Sequence, residues 1–179
     1  MKIFLLDDSA AVVNGIKVDM ESKHDIHAAF TLNDAAGCLE VKPGVKNFDL
    51  FLFDVAVPGY TVKGKKGEVV YNDETFGYNG LHFLLNNLDI LKGQIRYTAI
   101  ITAFKNQIIT MKNINVFGKH YSIYSRKLQQ NNELEKIVVR SGFKSYTFTV
   151  LDKGRNAIAT DINRFIDECY PKIETPITK

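Results

Sequence analysis

The sequence predicts an α/β fold in which helices cover both faces of a parallel sheet. Three observations support this prediction. Short apolar runs alternate with segments of helical periodicity along most of the 179 residues. The runs at 2–6, 48–53 and 97–101 are apolar on both faces, as is typical of central strands in a parallel sheet. Each of these runs is followed at once by a polar residue, as at the carboxyl end of a buried strand.

The strands and helices follow from hydrophobic spacing, taken in chain order. The first helix has Val12, Val13, Ile16 and Met20 on one face, and a later helix presents Leu81, Leu84, Leu85 and Leu88 in the same way. The predicted strands are 2–6, 26–30, 48–53, 97–101 and 121–124, and the predicted helices are 10–20, 32–41, 81–91, 105–113 and 128–138.

Two segments lie outside this alternation. Residues 59–78 are rich in glycine and lysine and predict a long inserted loop, with a small hairpin in it. Residues 145–150 alternate as a strand, and an amphipathic helix with Ile158, Ile162, Phe165 and Ile166 follows. We therefore divide the chain into a domain at 1–140 and a strand–helix extension at 141–179. The extension is expected to add to an edge of its own sheet, with a homodimer as the alternative.

Composition excludes several classes of protein. With 23 Lys and Arg against 20 Asp and Glu, the net charge of +3 is too small to predict a nucleic-acid or membrane partner. No apolar run approaches the ~18 residues of a membrane span, and the N-terminal segment lacks the long apolar stretch of a signal peptide. Two distant cysteines make no disulfide framework. We expect a cytoplasmic protein.

Polar side chains at the carboxyl ends of the predicted strands point to a site. Asp7 and Asp8 follow the first strand, Asp54 the 48–53 strand, Thr102 the 97–101 strand, and Lys127 the 121–124 strand. Carboxylates ~4 Å apart repel by about 4 kcal/mol at an effective dielectric near 20, so a cation is needed beside them. Mg²⁺ prefers such hard oxygen ligands, and Lys127 adds a point charge suited to phosphate. The set suits phosphoryl transfer onto Asp54.

These residues resemble the receiver domains of two-component response regulators over about residues 1–140. The resemblance rests on an acidic pair, an Asp followed by a Pro-Gly turn, an Asn-Gly opening a helix, a Thr-Ala pair, an aromatic residue and a lysine. In this sequence they are Asp7-Asp8, Asp54 with Pro58-Gly59, Asn79-Gly80-Leu81, Thr102-Ala103, Tyr124 and Lys127.

The resemblance implies a flavodoxin-like sheet of five parallel strands in the order 2-1-3-4-5, and a role for each site residue. Asp54 would accept the phosphoryl group, and Thr102 and Lys127 would assist as catalytic residues. Mg²⁺ would be bound by Asp7, Asp8, Asp54 and the Ala56 backbone carbonyl. Thr102 and Tyr124 would form the conformational switch. The phosphoryl donor would be a histidine kinase or a histidine phosphotransfer protein, and an unidentified downstream protein would receive the signal.

The sequence also departs from that family. Leu128 follows Lys127 where a proline is usual, the 59–78 insertion separates the Pro-Gly and Asn-Gly motifs, and no standard output domain follows residue 140. We therefore expect a phosphoacceptor that signals by protein contact and is not an enzyme. Two alternatives stay open: a Mg²⁺-dependent phosphohydrolase with an Asp nucleophile, and a receiver-like binding module that is never phosphorylated.

Overall fold

The secondary structure comes from a computed structural model of the chain, which describes residues 1–40, 44–58, 61–64, 67–70, 77–126, 134–154 and 158–171. The strands are β1 Lys2–Leu6, β2 Asp25–Ala29, β3 Leu50–Asp54, β4 Thr61–Gly64, β5 Gly67–Val70, β6 Thr98–Thr102, β7 Asn113–Val116, β8 Lys119–Arg126, β9 Lys136–Ser141 and β10 Lys144–Asp152. The helices are α1 Ala10–Met20, α2 Leu32–Glu40, α3 Asn79–Asn86, α4 Lys105–Thr110 and α5 Ile158–Cys169.

One sheet of eight strands forms the centre of the fold, in the order β2-β1-β3-β6-β10-β9-β8-β7. The first five of these strands pair in parallel, and β9, β8 and β7 continue the sheet with antiparallel pairing. Counted along the chain, the parallel strands have the order 2-1-3-4-5, which is the flavodoxin-like arrangement. The predicted fold class is therefore confirmed, and three further strands enlarge the sheet.

Helices cover the parallel strands on both sides of the sheet. Alternate side chains of each strand therefore enter two different cores. Phe4, Phe51 and Ile100 enter the larger core, which α2, α3 and α4 help to form. Leu5 and Leu52 enter the smaller core, which α1 and α5 cover with the buried residues Val13, Ile16, Met20, Ile162 and Phe165. This explains why these strands are apolar at successive positions.

The position of β10 corrects the sequence prediction for the C-terminal region. Its C-terminal half pairs in parallel with β6, and Thr149 to Asp152 lie beside Ala99 to Thr102. Its N-terminal half, from Lys144 to Phe148, pairs with β9 alone, and Thr149 pairs with both neighbours. The 145–150 strand therefore lies inside the sheet and does not add to its edge. A division at residue 140 falls within β9.

The strand predicted at 121–124 exists, but it is not the fifth parallel strand. It belongs to β8, which pairs antiparallel with β7 and β9. The helix predicted at 128–138 is wrong at its C-terminal end, because β9 begins at Lys136 and pairs with β8 and β10. Residues 127–133 lie outside the described part of the chain.

The inserted segment contains the predicted hairpin. Strands β4 and β5 pair antiparallel, with Thr61 opposite Val70 and Gly64 opposite Gly67. This hairpin forms its own two-stranded sheet, separate from the large one. No helix in the described part of the chain is both long enough and apolar enough to cross a membrane.

Candidate functional site

Four neighbouring strands of the large sheet place polar groups at one end. Asp7 follows β1, Asp54 ends β3, Thr102 ends β6, and Lys153 follows β10. Asp7, Asp54 and Thr102 are almost completely buried, at 0%, 2% and 0% exposure. Because the strands are parallel, their carboxyl ends share one edge, and residues far apart in sequence meet there.

Lys153 provides the positive charge at this edge. Its Nζ lies 2.8 Å from Asp54 Oδ2 and 2.8 Å from Asp7 Oδ2. Its backbone N–H donates a hydrogen bond of 2.9 Å to the Thr102 carbonyl, which connects the end of β10 to the end of β6. Lys153 thus connects all three strands that carry the buried polar residues.

The structure tests the predicted role of Tyr124 but not that of Lys127. Lys127 lies outside the described residues, so its predicted role is not tested by the structure. Tyr124 lies on β8, and two strands, β9 and β10, separate it from the strand that ends at Thr102. It is 52% exposed and lies beneath the Arg140 guanidinium. This placement corrects the prediction that Tyr124 forms the conformational switch together with Thr102.

Sequence analysis missed Lys153 because β10 has the pattern of a half-exposed strand. Its first four residues are exposed or partly buried, and only Phe148 to Leu151 are fully buried. The alternating exposed half resembles an edge strand, whereas 121–124 is a short strand pattern with a lysine three residues after it. The available signal was the run Phe148 to Leu151, followed within two residues by Lys153.

Three aspartates form an acidic cluster at the carboxyl ends of β1 and β3. Carboxylate oxygens of Asp7, Asp8 and Asp54 all lie within 4.8 Å of one another. Asp7 Oδ1 accepts a hydrogen bond of 2.9 Å from the Ser9 N–H. Asp54 Oδ1 is buried and makes no hydrogen bond of ordinary geometry with any described residue. Three carboxylates, two of them buried, fit a hard divalent cation such as Mg²⁺, and Asp8 is the member exposed to solvent.

For each of Asp54 and Lys153, burial and the neighbouring opposite charge shift the pKa in opposite directions. Burial raises the pKa of Asp54 above its ordinary value, and the neighbouring Lys153 offsets only part of that rise. Burial by itself would lower the pKa of Lys153, but the carboxylates of Asp54 and Asp7 raise it above its ordinary value. The lysine is therefore charged at neutral pH, and the Asp54 carboxylate is held in an environment that disfavours its charge.

The start of α3 packs directly on the backbone of Asp54. A Cβ atom at Gly80 would lie 1.9 Å from the Asp54 carbonyl oxygen, so no other residue fits there without displacing β3. The Gly80 N–H donates a hydrogen bond of 3.0 Å to the Val55 carbonyl. The Asn79-Gly80 motif found in the sequence thus fixes the backbone that carries Asp54.

The loop from β6 to α4 presents a hydroxyl group beside the carboxylates. Thr102 Oγ1 accepts a hydrogen bond of 2.9 Å from the Phe104 N–H, at the residue that precedes α4. Phe104 itself is 44% exposed. A change in the hydrogen bonding of Thr102 would therefore reach the surface through this loop.

The sheet order, with carboxylates after β1 and β3 and a hydroxyl at the end of β6, defines an α/β domain of the flavodoxin-like class with an acidic site at its carboxyl edge. The chain is similar to a CheY-like response regulator receiver domain protein from Methanospirillum hungatei, with 19% identity, a TM-score of 0.37 and 57% of this chain covered. It is also similar to a response regulator receiver domain from Francisella, with 21% identity, a TM-score of 0.36 and 57% of this chain covered.

These two likenesses are partial. The matched region covers 64% of the Methanospirillum chain and 66% of the Francisella chain, less than two thirds of either. No protein-family model matches the sequence, and no curated protein matches it.

Proposed function

We propose that this protein is a phosphoacceptor that takes a phosphoryl group on Asp54 and signals by a change of conformation. The observation that carries the proposal is the state of the two Asp54 oxygens. Oδ2 is bound by Lys153, whereas the buried Oδ1 makes no hydrogen bond of ordinary geometry with any described residue and belongs to a cluster of three carboxylates. The Ala56 backbone N–H also stabilises the charged carboxylate. A carboxylate oxygen held beside a fixed cation is suited to nucleophilic attack on phosphorus.

Transfer of the phosphoryl group exchanges one bond at phosphorus for another. Asp54 Oδ1 forms a bond to the phosphorus of a phosphohistidine or a small acyl phosphate, and the bond from phosphorus to the leaving nitrogen or oxygen breaks. The electron pair remains on the leaving imidazole or carboxylate, and Asp54 becomes an acyl phosphate. Mg²⁺ held by Asp7, Asp8, Asp54 and the Ala56 carbonyl would offset the charge of the transferring group. Lys153 would pair with the phosphoryl oxygens.

The response would pass through the β6–α4 loop. In the present structure Thr102 Oγ1 accepts the Phe104 N–H. A phosphoryl group on Asp54 would attract the Thr102 hydroxyl as a donor and weaken that contact, which would shift Phe104 and the start of α4. The donor protein would be a histidine kinase or a histidine phosphotransfer protein, and the signal would leave by protein contact.

We expect no catalytic turnover of phosphate esters. Phosphohydrolases with an Asp nucleophile place an acid two residues after it, and here that residue is Ala56. The chain therefore lacks the acid that would protonate a leaving alkoxide at this position.

Intact mass spectrometry tests the proposal. The protein is incubated with acetyl phosphate and Mg²⁺, and the expected result is the added mass of one phosphoryl group, absent with EDTA and absent from Asp54→Asn. Asp89→Asn is the matched control, because it removes an exposed carboxylate in a surface ion pair with Lys144. Labelling of Asp54→Asn at the wild-type level, or full labelling in EDTA, would contradict the proposal.

A further inference from the structure

On one side of the large sheet, the described helices leave the antiparallel strands largely exposed. On the side that α1 and α5 cover elsewhere, the side chains of β7, β8, β9 and the first half of β10 are exposed or only partly buried. We call this surface the open face. By strand register its members are Asn113, Asn115, His120, Ser122, Tyr124, Arg126, Lys136, Val138, Arg140, Ser145 and Thr147.

The charge of the open face differs from that of the whole chain. Residues 90–132 and 136–151 contain ten Lys and Arg and no Asp or Glu, and three of the ten, Arg126, Lys136 and Arg140, lie on the open face. On the open face, Lys136 is paired with Glu168 of α5 at 2.7 Å. Arg126 and Arg140 form no ion pair with any described residue. Within the described residues, the open face therefore carries two unpaired arginines, and none of its members is an acid.

An aromatic ring lies at the centre of this basic surface. The Arg140 guanidinium carbon lies 5.4 Å from the centre of the Tyr124 ring, and Tyr124 is 52% exposed. Ser122 lies opposite Arg140, and Arg126 lies opposite Lys136 on the same two strands. The surface thus combines flat groups on which a base can stack with cations that can pair with phosphate.

The size and polarity of the open face favour a slender ligand over a folded protein. The four strands lie ~4.8 Å apart, and the open face extends about 20 Å along β8. The product of its width and length is roughly 300 Å². A stable protein interface needs about 800 Å² on each partner and an apolar core. Val138 is the one aliphatic member of the open face within the described residues. A few nucleotides fit this area, since single-strand sites on small sheet domains begin at about 4 nucleotides.

We propose that the open face binds a short segment of single-stranded nucleic acid, with Arg126 and Arg140 on the phosphates and Tyr124 with Arg140 against a base. This activity goes beyond the phosphoacceptor function and uses none of its residues. It makes this surface an output site on a domain that has no separate nucleic-acid-binding module among the described residues.

Fluorescence anisotropy of the full chain with labelled oligouridine and oligothymidine of about 12 nucleotides tests this proposal. Wild-type affinity is expected to fall with salt, and the slope of log K against log salt is expected to decrease by about 0.7 for each of Arg126→Ala and Arg140→Ala. Tyr124→Ala should weaken binding about fivefold or more with the slope nearly unchanged, because stacking releases no counterions. Lys119→Ala is the matched control, since by register Lys119 is on the other side of β8.

The same titrations contain the results that would overturn the proposal. These are no binding by the wild type at low salt, or an equal loss of affinity in Lys119→Ala and Arg140→Ala. Stronger binding of a duplex would refute the single-strand preference. Displacement of the oligonucleotide by polyglutamate at an equal concentration of charges would identify an acidic protein segment as the ligand instead. Labelling of Asp54 is measured separately on each variant, so failure here leaves the phosphoacceptor test intact.

Discussion

Lys153 Nζ donates a hydrogen bond of 2.8 Å to Asp54 Oδ2 across 99 positions of the chain. The same nitrogen lies 2.8 Å from Asp7 Oδ2, so the N-terminal and C-terminal parts of the sequence meet at one cation. This contact exists because β10 inserts between β6 and β9 and ends at the same edge as β1 and β3. The site is therefore complete only when the last strand of the chain is in place.

Lys153→Ala is expected to destabilise the fold by about 3 kcal/mol at neutral pH, because it leaves two buried carboxylates without their cation. Lys136→Ala, which breaks a surface ion pair with Glu168, is the control and should cost less than about 1 kcal/mol. Urea unfolding of both variants gives the comparison. Equal losses would mean that Lys153 adds no more than a surface pair.

The response to phosphorylation distinguishes Lys127 from Lys153 as the lysine that pairs with the phosphoryl group. After phosphorylation of Asp54, NMR shifts of residues 102–104 should change in Lys127→Ala as they do in the wild type. They should change little in Lys153→Ala, because the cation that pairs with the phosphoryl group is missing. The reverse pattern would restore the sequence-based assignment of Lys127.

The stability of Asp54→Asn relative to the wild type should increase with pH. Because the pKa of Asp54 is raised from its ordinary 3.8, the folded state holds this proton more tightly than the unfolded chain does. Its contribution to stability is complete below the ordinary pKa and is lost as pH rises through the folded pKa. Asparagine does not titrate, so the gap between the two proteins should widen as pH rises above the ordinary pKa of 3.8. A constant gap in urea titrations would contradict the raised pKa.

Gly80→Ala should destabilise the protein by at least about 2 kcal/mol and reduce the labelling of Asp54. The added Cβ would lie 1.9 Å from the Asp54 carbonyl oxygen, so either α3 or the end of β3 must move. Gly15→Ala is the control, because a Cβ there meets nothing within 4 Å in the middle of α1. That change should stabilise the fold by about 0.5–1 kcal/mol. A neutral Gly80→Ala in thermal melting would contradict the close packing.

A chain that ends at residue 142 should not fold. It lacks β10, Lys153 and α5, and with them the buried side chains Phe148, Val150, Leu151, Ile162 and Phe165. Ending the chain at residue 171 instead removes no contact between described residues. Circular dichroism and light scattering should show an unfolded or aggregated protein for the shorter chain. A cooperative melt with an unchanged monomer mass would return residues 143–179 to the role of a separate extension.

Much of the N-terminal half was predictable because its signals are local. The run of apolar residues in β3, for example, follows from burial on both faces of the sheet, and Asp54 follows it directly. The Asn79-Gly80 motif was also visible, but the clash that requires glycine is not. That reason depends on the carbonyl of Asp54, which only the packing of α3 on β3 brings near.

The C-terminal half could not be ordered from sequence, because strand position in a sheet depends on long-range pairing. Residues 121–124 and 145–150 both have strand patterns, and nothing local states which of them pairs with β6. The sequence by itself determined the α/β class, the acidic cluster of Asp7, Asp8 and Asp54, and the hydroxyl at Thr102. The tertiary structure decided that Lys153 is a cation at the site and that Tyr124 is on an open surface, because each depends on which strands become neighbours.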